Sequence, residues 1–301
     1  MATVPLGRST SVRVRPTAEA AAKAAVRRKR AKRRANVGWF VLAALVAVVM
    51  AFPIYWMFAT AVSSIADLRS GDYGILPGQF RLENFVDAWR SADFTRWFGN
   101  SVVIAVVSTA ITVTINLTAG YAFAKLRFPG RRILLALIVA TLFIPVQVIM
   151  VPQFRVVVDL NWLNSLWGVI VPRAAEAFGI FFAVQFFRSI PNEVIEAARI
   201  DGASELTILR RVVLPVSKPL IAVLVIFTFM WRWNEFAWPL IILKDSDSYT
   251  MPIGLLFLNG QYNVNWSSLM GMSLVSILPV VLVFLFFQRY FVEGLVRSGL
   301  K

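Results

Sequence analysis

The chain has 301 residues, of which 58% are hydrophobic and only 16% charged, against about 25% charged in an ordinary water-soluble domain. It has no histidine and no cysteine, which excludes imidazole bases, thiol catalysis, disulfides and nearly all zinc sites. The net charge of +15 would point to nucleic acid in a soluble protein, but eleven of the 31 Lys and Arg residues precede position 35.

Those residues are Arg8, Arg13, Arg15, Lys23 and the run from Arg27 to Arg34, in an Ala-rich stretch with Glu19 as its one acid. Residues 1–36 therefore read as a disordered or weakly helical cytoplasmic tail lying on anionic lipid. The alternative of an RNA-binding arm is the weaker reading, and no nucleic-acid partner is expected.

Six apolar runs follow: Gly38–Val62, Ser101–Ala124, Ile133–Pro152, Leu166–Phe187, Pro219–Leu243 and Ser268–Phe291. Each is close to the 20 or so apolar residues needed to cross a bilayer as a helix. The runs are continuous, without the alternation of a barrel strand. The expected fold is all-α, a polytopic bundle of six membrane helices over residues 37–301. The first run is too long for a cleaved signal-peptide core and lacks a small-residue cleavage site, so it reads as a retained helix. Pro53, Pro145, Pro172, Pro239 and Pro279 fall inside the runs and predict kinks where neighbours satisfy the freed carbonyls.

With the N-terminus inside, the inner segments hold 23 Lys and Arg, counting Arg289 at the inner end of the last run, against six in the outer loops. This imbalance places both termini in the cytoplasm. Trp39, Trp97, Trp167 and Tyr290 stand near run ends, where interfacial anchors are expected. The outer loops 63–100 and Gln261–Trp266 read either as contacts for another protein or as solvated caps.

The inner loop 188–218 contains Pro191, suited to the first turn of a helix. Glu193 and Glu196 meet the positive end of that helix. Asp201-Gly202 stops it through the positive φ that glycine allows. Ser204 caps a second helix, expected to end before Pro215. The small Ala197 and Ala198 permit close backbone approach in a partner's groove, and Glu196 offers a charge-assisted contact.

The pattern Glu196-Ala197-Ala198, Asp201-Gly202-Ala203 and Leu214-Pro215 resembles the EAA loop of binding-protein-dependent ABC importer permeases. Leu209 stands where an aromatic is common, and Val212 where isoleucine is common. The segments Phe186–Pro191 and Phe286–Phe291 resemble the carbohydrate-uptake branch, and the likeness covers about residues 38–300.

The resemblance implies a type I ABC importer permease fold in a bacterial cytoplasmic membrane. Glu193, Glu196, Ala197, Ala198, Asp201, Gly202, Leu214 and Pro215 would couple this chain to a dimer of cytoplasmic ABC ATPase subunits. It further implies a second homologous permease subunit and an extracytoplasmic sugar-binding protein. No cofactor is expected on this chain; ATP and Mg would be bound by the ATPase subunits. The sequence contains no G-x-x-x-x-G-K-[ST] phosphate loop of its own.

Charges inside membrane runs are costly and mark function by default. The fourth run carries Arg173 and Glu176, and the fifth Arg232 and Glu235, each pair on one helix face. At 1.5 Å per residue, Arg173 and Glu235 lie about 10–12 Å below the outer surface, and Glu176 and Arg232 about 15–16 Å. Charges of opposite sign thus face one another at matching depths, although pairing within each helix is equally allowed.

These four residues, with Trp231 and Asn234, are the candidate gate or sugar path. Arg, Glu and Asn bind hydroxyls, and aromatic faces cover sugar C–H surfaces. The structural alternative is an ion-pair clamp among packed aromatics. Asn116, Gln147 and Gln185 are candidates for interhelical hydrogen bonds. Two other functions compete with an ATP-driven permease: half of an ion-coupled secondary transporter, and an intramembrane enzyme using Asp or Ser.

Overall fold

A backbone in lipid has no water to bond, so it must close its hydrogen bonds internally. The computed structural model does this with helices alone, and no strand occurs among the described residues. Those residues are 18–70, 76, 78–258 and 265–298. The tail before Ala18 and the loop residues Gln261 to Val264 lie outside them, as do 71–75 in the first outer loop.

The chain divides into two compact units, Met1–Trp56 and Met57–Lys301. Helix α1 (Ala18–Val62) crosses the division and contains Pro53 without a break. In the first unit, Phe52 packs its ring near Tyr55 and Trp56.

The second unit opens with α2 (Ile65–Ser70) and α3 (Glu83–Ser91), which give the outer loop a folded core. The Asn84 amide donates to the carbonyls of Ala61 and Ser63. Next comes α4 (Phe94–Lys125), which starts seven residues before the expected run. Of the extra turns, Phe94 and Trp97 are buried in the outer cap. Trp97 donates to the Ser246 carbonyl and lies where a Cβ on Gly254 would be. Trp97 is therefore a packed core residue, not the interfacial anchor its position predicted.

Among the described residues, three unbroken helices are long and apolar enough to span: Asn36–Val62, Phe94–Lys125 and Trp266–Tyr290. The third and fourth expected spans are bent, and the fifth is interrupted between Asn234 and Ala237. In the third, α5 (Arg131–Ala140) and a tight turn Thr141–Phe143 meet α6 (Val146–Asp159) at 107°. The cause is Pro145, which holds Ile144 in extended backbone. The fourth joins α7 (Leu166–Ile170) and the turn Val171–Arg173 to α8 (Ala177–Arg188) at 43°.

The inner loop forms α9 (Asn192–Ile200), α10 (Glu205–Ile208), a widened π turn over Leu209–Val213, and α11 (Leu214–Val216). The second helix thus continues through Pro215, against expectation. Pro215 follows directly on the widened π turn over Leu209–Val213, which makes room for its ring within the continuing helix.

At the buried Ser217 the chain turns 85° into α12 (Lys218–Asn234). Then come α13 (Ala237–Ile242), α14 (Met251–Leu258) and α15 (Trp266–Ser298), which carries Pro279 without a break.

Helix α4 is the axle of this unit, packed against α8 on one side and α12 on another. Gly120 makes the first contact possible, because a Cβ there would overlap Ala183. Val113, Leu117 and Tyr121 of α4 share one cluster with Ile195 of α9, Ile208 of α10, Phe187 of α8 and Leu224 of α12. The inner loop is therefore seated on the membrane bundle through a continuous apolar core.

Candidate functional site

Two constellations occupy opposite ends of this unit. The first is the inner loop. Gly202 has φ +81°, and it closes α9 with two backbone bonds, Gly202 N–H to Arg199 C=O and Ala203 N–H to Ala198 C=O, each 3.0 Å. This is the paired bonding of a Schellman stop. Ser204 then accepts from the Thr207 N–H and caps α10.

The two alanines separate: Ala197 is exposed, whereas Ala198 packs on the internal cluster. Glu193, Glu196, Asp201, Gly202 and Pro215 are exposed, and Leu214 is half-buried. One face of α9 is thus held by the bundle, and the other carries carboxylates and a small side chain outward.

Side chains that carry no motif signal in the sequence fix this loop. The Tyr121 hydroxyl donates to Glu205 Oε2 at 2.6 Å, and Arg199 Nε donates to Glu205 Oε1 at 2.7 Å. Lys125 Nζ donates to the Ile190 carbonyl at 2.6 Å and to Asn192 Oδ1 at 2.8 Å. The hydrogen bond from Arg199 holds the Glu205 carboxyl below the usual carboxylate range.

The second constellation lies where α7–α8 and α12–α13 both break. Arg173 and Glu176 flank the first break; Arg232 and Glu235 border the second. Arg173 pairs with Glu235, and Arg232 Nη2 pairs with Glu176 Oε1 at 2.7 Å. The cross-span pairing expected from matching depths is present, together with one intrahelical pair, Arg232 Nη1 to Glu235 Oε2 at 3.3 Å. The side chains of Arg232 and Glu235 are only 5% and 8% exposed.

The breaks themselves explain much of the geometry. A helix interrupted at membrane depth must pass its freed carbonyls to other donors. Arg232 donates to the Arg173 carbonyl, Gln153 Nε2 to the Pro172 carbonyl at 2.8 Å, and Trp238 Nε1 to the Gly168 carbonyl at 3.2 Å. Gly168 is four residues before Pro172, so the indole replaces the donor that proline lacks. The Arg173 guanidinium also lies 5.9 Å from the Trp238 ring centroid. Gln153 gives no signal in the sequence beyond its nearness to Pro152.

Trp231 and Asn234 do not join the cluster. Trp231 is 65% exposed, and with Phe227, Met230 and Asn234 it forms an outward stripe on α12. Trp233 packs inside against Phe229 and Phe98 and donates to the Ser276 carbonyl. None of the expected interhelical amides forms a bond: Gln147 and Gln185 are exposed, and Asn116, fully buried against Gly179, has no protein partner for either amide atom. The close approach of α4 to Gly179 leaves the amide no donor or acceptor within reach.

The family model for "Binding-protein-dependent transport system inner membrane component" matches residues 116–297. The chain is 33% identical over 261 residues to the arabinooligosaccharides transport system permease protein AraQ of Halalkalibacterium halodurans, covering 86% of this chain and 94% of that one. It is 35% identical over 258 residues to the sn-glycerol-3-phosphate transport system permease protein UgpE of Escherichia coli, covering 83% and 92% respectively. A solved bacterial ABC transporter involved in import of the acidic polysaccharide alginate superposes with TM-score 0.77 at 25% identity, over 87% of this chain and 98% of that one.

Proposed function

The chain belongs to the family of inner-membrane components of binding-protein-dependent transport systems, and from that premise we propose how its two constellations divide the work of sugar import. It is a permease subunit of an ABC importer, and ATP hydrolysis lies in separate subunits. The family match leaves the ion-coupled half-transporter without support.

The cargo is a sugar, an oligosaccharide or a related polyol ester, the class named for the relatives. Helix α9 docks into a cytoplasmic ATPase subunit through Glu193, Glu196 and Ala197. Asp201 and Gly202 set the angle of the lever, and Leu214-Pro215 joins it to α12. The observation that carries this reading is the two-faced α9, seated inward by Ile195 and Ala198 and presenting an exposed acidic face.

The four charges form a gate at the breaks of spans four and five. Bistable clamps of this kind suit alternating access, because each state needs its own set of pairs. Trp231 and Asn234 line the path beside it, on a stripe that a second permease subunit would face. Both termini and the lever lie in the cytoplasm, and residues 1–36 rest on anionic lipid.

Co-purification with ATPase subunits, followed by ATPase assays with binding protein and a panel of oligosaccharides and glycerol phosphodiesters, tests the reading. Stimulation by one of these cargoes is expected. An ATPase pair that assembles with the permease but ignores all of them contradicts the cargo class.

A further inference from the structure

Helix α4 belongs to neither bent span that leads into or out of the inner loop, yet it makes that loop's strongest polar contacts. Tyr121 and Lys125 are one turn apart on one face of α4. Lys125 holds the entry to α9 at Ile190 and Asn192. Tyr121 holds the exit, through the carboxylate of Glu205 that also binds Arg199 at the end of α9. Between these ties, Ile195 is buried in the cluster that includes Leu117 and Tyr121.

Glu205 therefore joins three elements at one carboxylate: α9 through Arg199, α10 through its own backbone, and α4 through the phenol. The Tyr121 ring is only 3% exposed and meets Phe187 edge to face, with centroids 6.3 Å apart. Helix α9 cannot slide or roll along α4 without breaking hydrogen bonds to charged groups, which are stronger than neutral ones. Farther along the same helix, Asn116 presses on Gly179, three residues beyond Glu176 of the gate.

We infer that Tyr121 and Lys125 are positioning residues for energy coupling, so that the stroke of the lever enters the bundle through the second span as well as through spans four and five. This rests on the proposed docking of α9 to an ATPase. Spatial continuity alone does not establish coupling, so the test measures transmission.

The cysteine-free chain accepts spin labels on cysteines introduced at Val106 and Leu160, both exposed and outside the loop. The complete importer in nanodiscs is given ATP and vanadate, and the label-to-label distance distribution is read with and without them. Tyr121→Phe keeps the ring and its packing. It is expected to leave ATPase co-purification and vanadate trapping unchanged, but to shift the equilibrium of the vanadate-induced distance state about tenfold back toward the resting state.

Glu205→Gln, at a half-exposed site, is expected to give the same shift, and the double variant to be no worse than either single one. A wild-type distance response in Tyr121→Phe, or additive losses in the double variant, overturns the inference. Should Tyr121→Phe fail to insert, Glu205→Gln alone decides, and a wild-type response there overturns it. Glu196→Lys separates the two layers. If it retains normal ATPase assembly and response, the docking of α9 falls, and this inference with it. If it fails while Tyr121→Phe behaves as wild type, docking stands and only the role of span two is lost.

Discussion

Arg232 of span five donates both to the carboxylate of Glu176, at 2.7 Å, and to the backbone carbonyl of Arg173, across the break in span four. One guanidinium therefore pairs with a half-buried carboxylate and satisfies a carbonyl freed by the broken helix. Arg173 in turn pairs with Glu235, which also receives Arg232. The cluster is neutral in sum, and its four members are interdependent.

Removing one carboxylate strands a buried cation, which typically costs about 3–5 kcal/mol. Glu235→Ala is expected to lose stability of this order in thermal unfolding in detergent, whereas replacing an arginine of the basic tail by Ala is expected to change little. The exchange Arg173→Glu with Glu235→Arg is expected to recover part of the loss. Equal stability of Glu235→Ala and the tail variant would place Glu235 outside any critical pair.

Gly202 has φ +81° and open space around its missing Cβ. Substitution there meets backbone strain, not a clash, of about 1–2 kcal/mol. Gly202→Asp is expected to insert normally and to lose substrate-stimulated ATPase activity and uptake, while Gly202→Asn, which tolerates the left-handed region better, is milder. Uptake assays on the two variants check this order. Normal uptake in Gly202→Asp would remove the turn from the coupling role.

Trp238 and Trp231 offer a contrast on neighbouring elements. Trp238→Phe leaves the Gly168 carbonyl without its donor and is expected to cost about 1–3 kcal/mol in thermal unfolding. Trp231→Ala removes an exposed ring and is expected to leave stability nearly unchanged while lowering uptake. Unchanged uptake in Trp231→Ala would remove that stripe from the path.

Glu205 supplies a pH test. Its folded pKa is depressed below 4.5, so its contribution is fully present above about 4.5 and is lost as pH falls through the lower folded value. The stability difference between wild type and Glu205→Gln, measured by thermal unfolding, is expected to be constant near neutral pH and to shrink below about 4.5.

Several of these features are legible in the amino-acid sequence. The existence of the membrane helices follows from uninterrupted apolar runs, and the stop at Gly202 from the rarity of residues that accept positive φ. The facing of Arg173 to Glu235 and Glu176 to Arg232 is one of two pairings that matching depths allow, because lipid penalises an unpaired charge; pairing within each helix is equally open in the sequence, and the fold uses it as well for Arg232 and Glu235. The break at Ala174–Glu176 is not legible, since Ala-Ala-Glu favours a helix and only tertiary donors make the interruption tolerable. Gln153, Tyr121 and Lys125 are hidden for the same reason: their partners are backbone carbonyls and side chains far away in the chain. Asn116 departs from expectation because burial is no guarantee of a hydrogen-bond partner.

The central claim is that the exposed face of α9 receives force from an ATPase. With no native cysteine in the chain, Glu196→Cys can be cross-linked within the assembled importer using a short bifunctional reagent. A cross-linked product of this chain with an ATPase subunit is expected, with a yield that changes between the nucleotide-free and ATP–vanadate states. Labelling of Glu196→Cys from the extracellular side of intact cells, or a cross-link yield of zero in every nucleotide state, would contradict it.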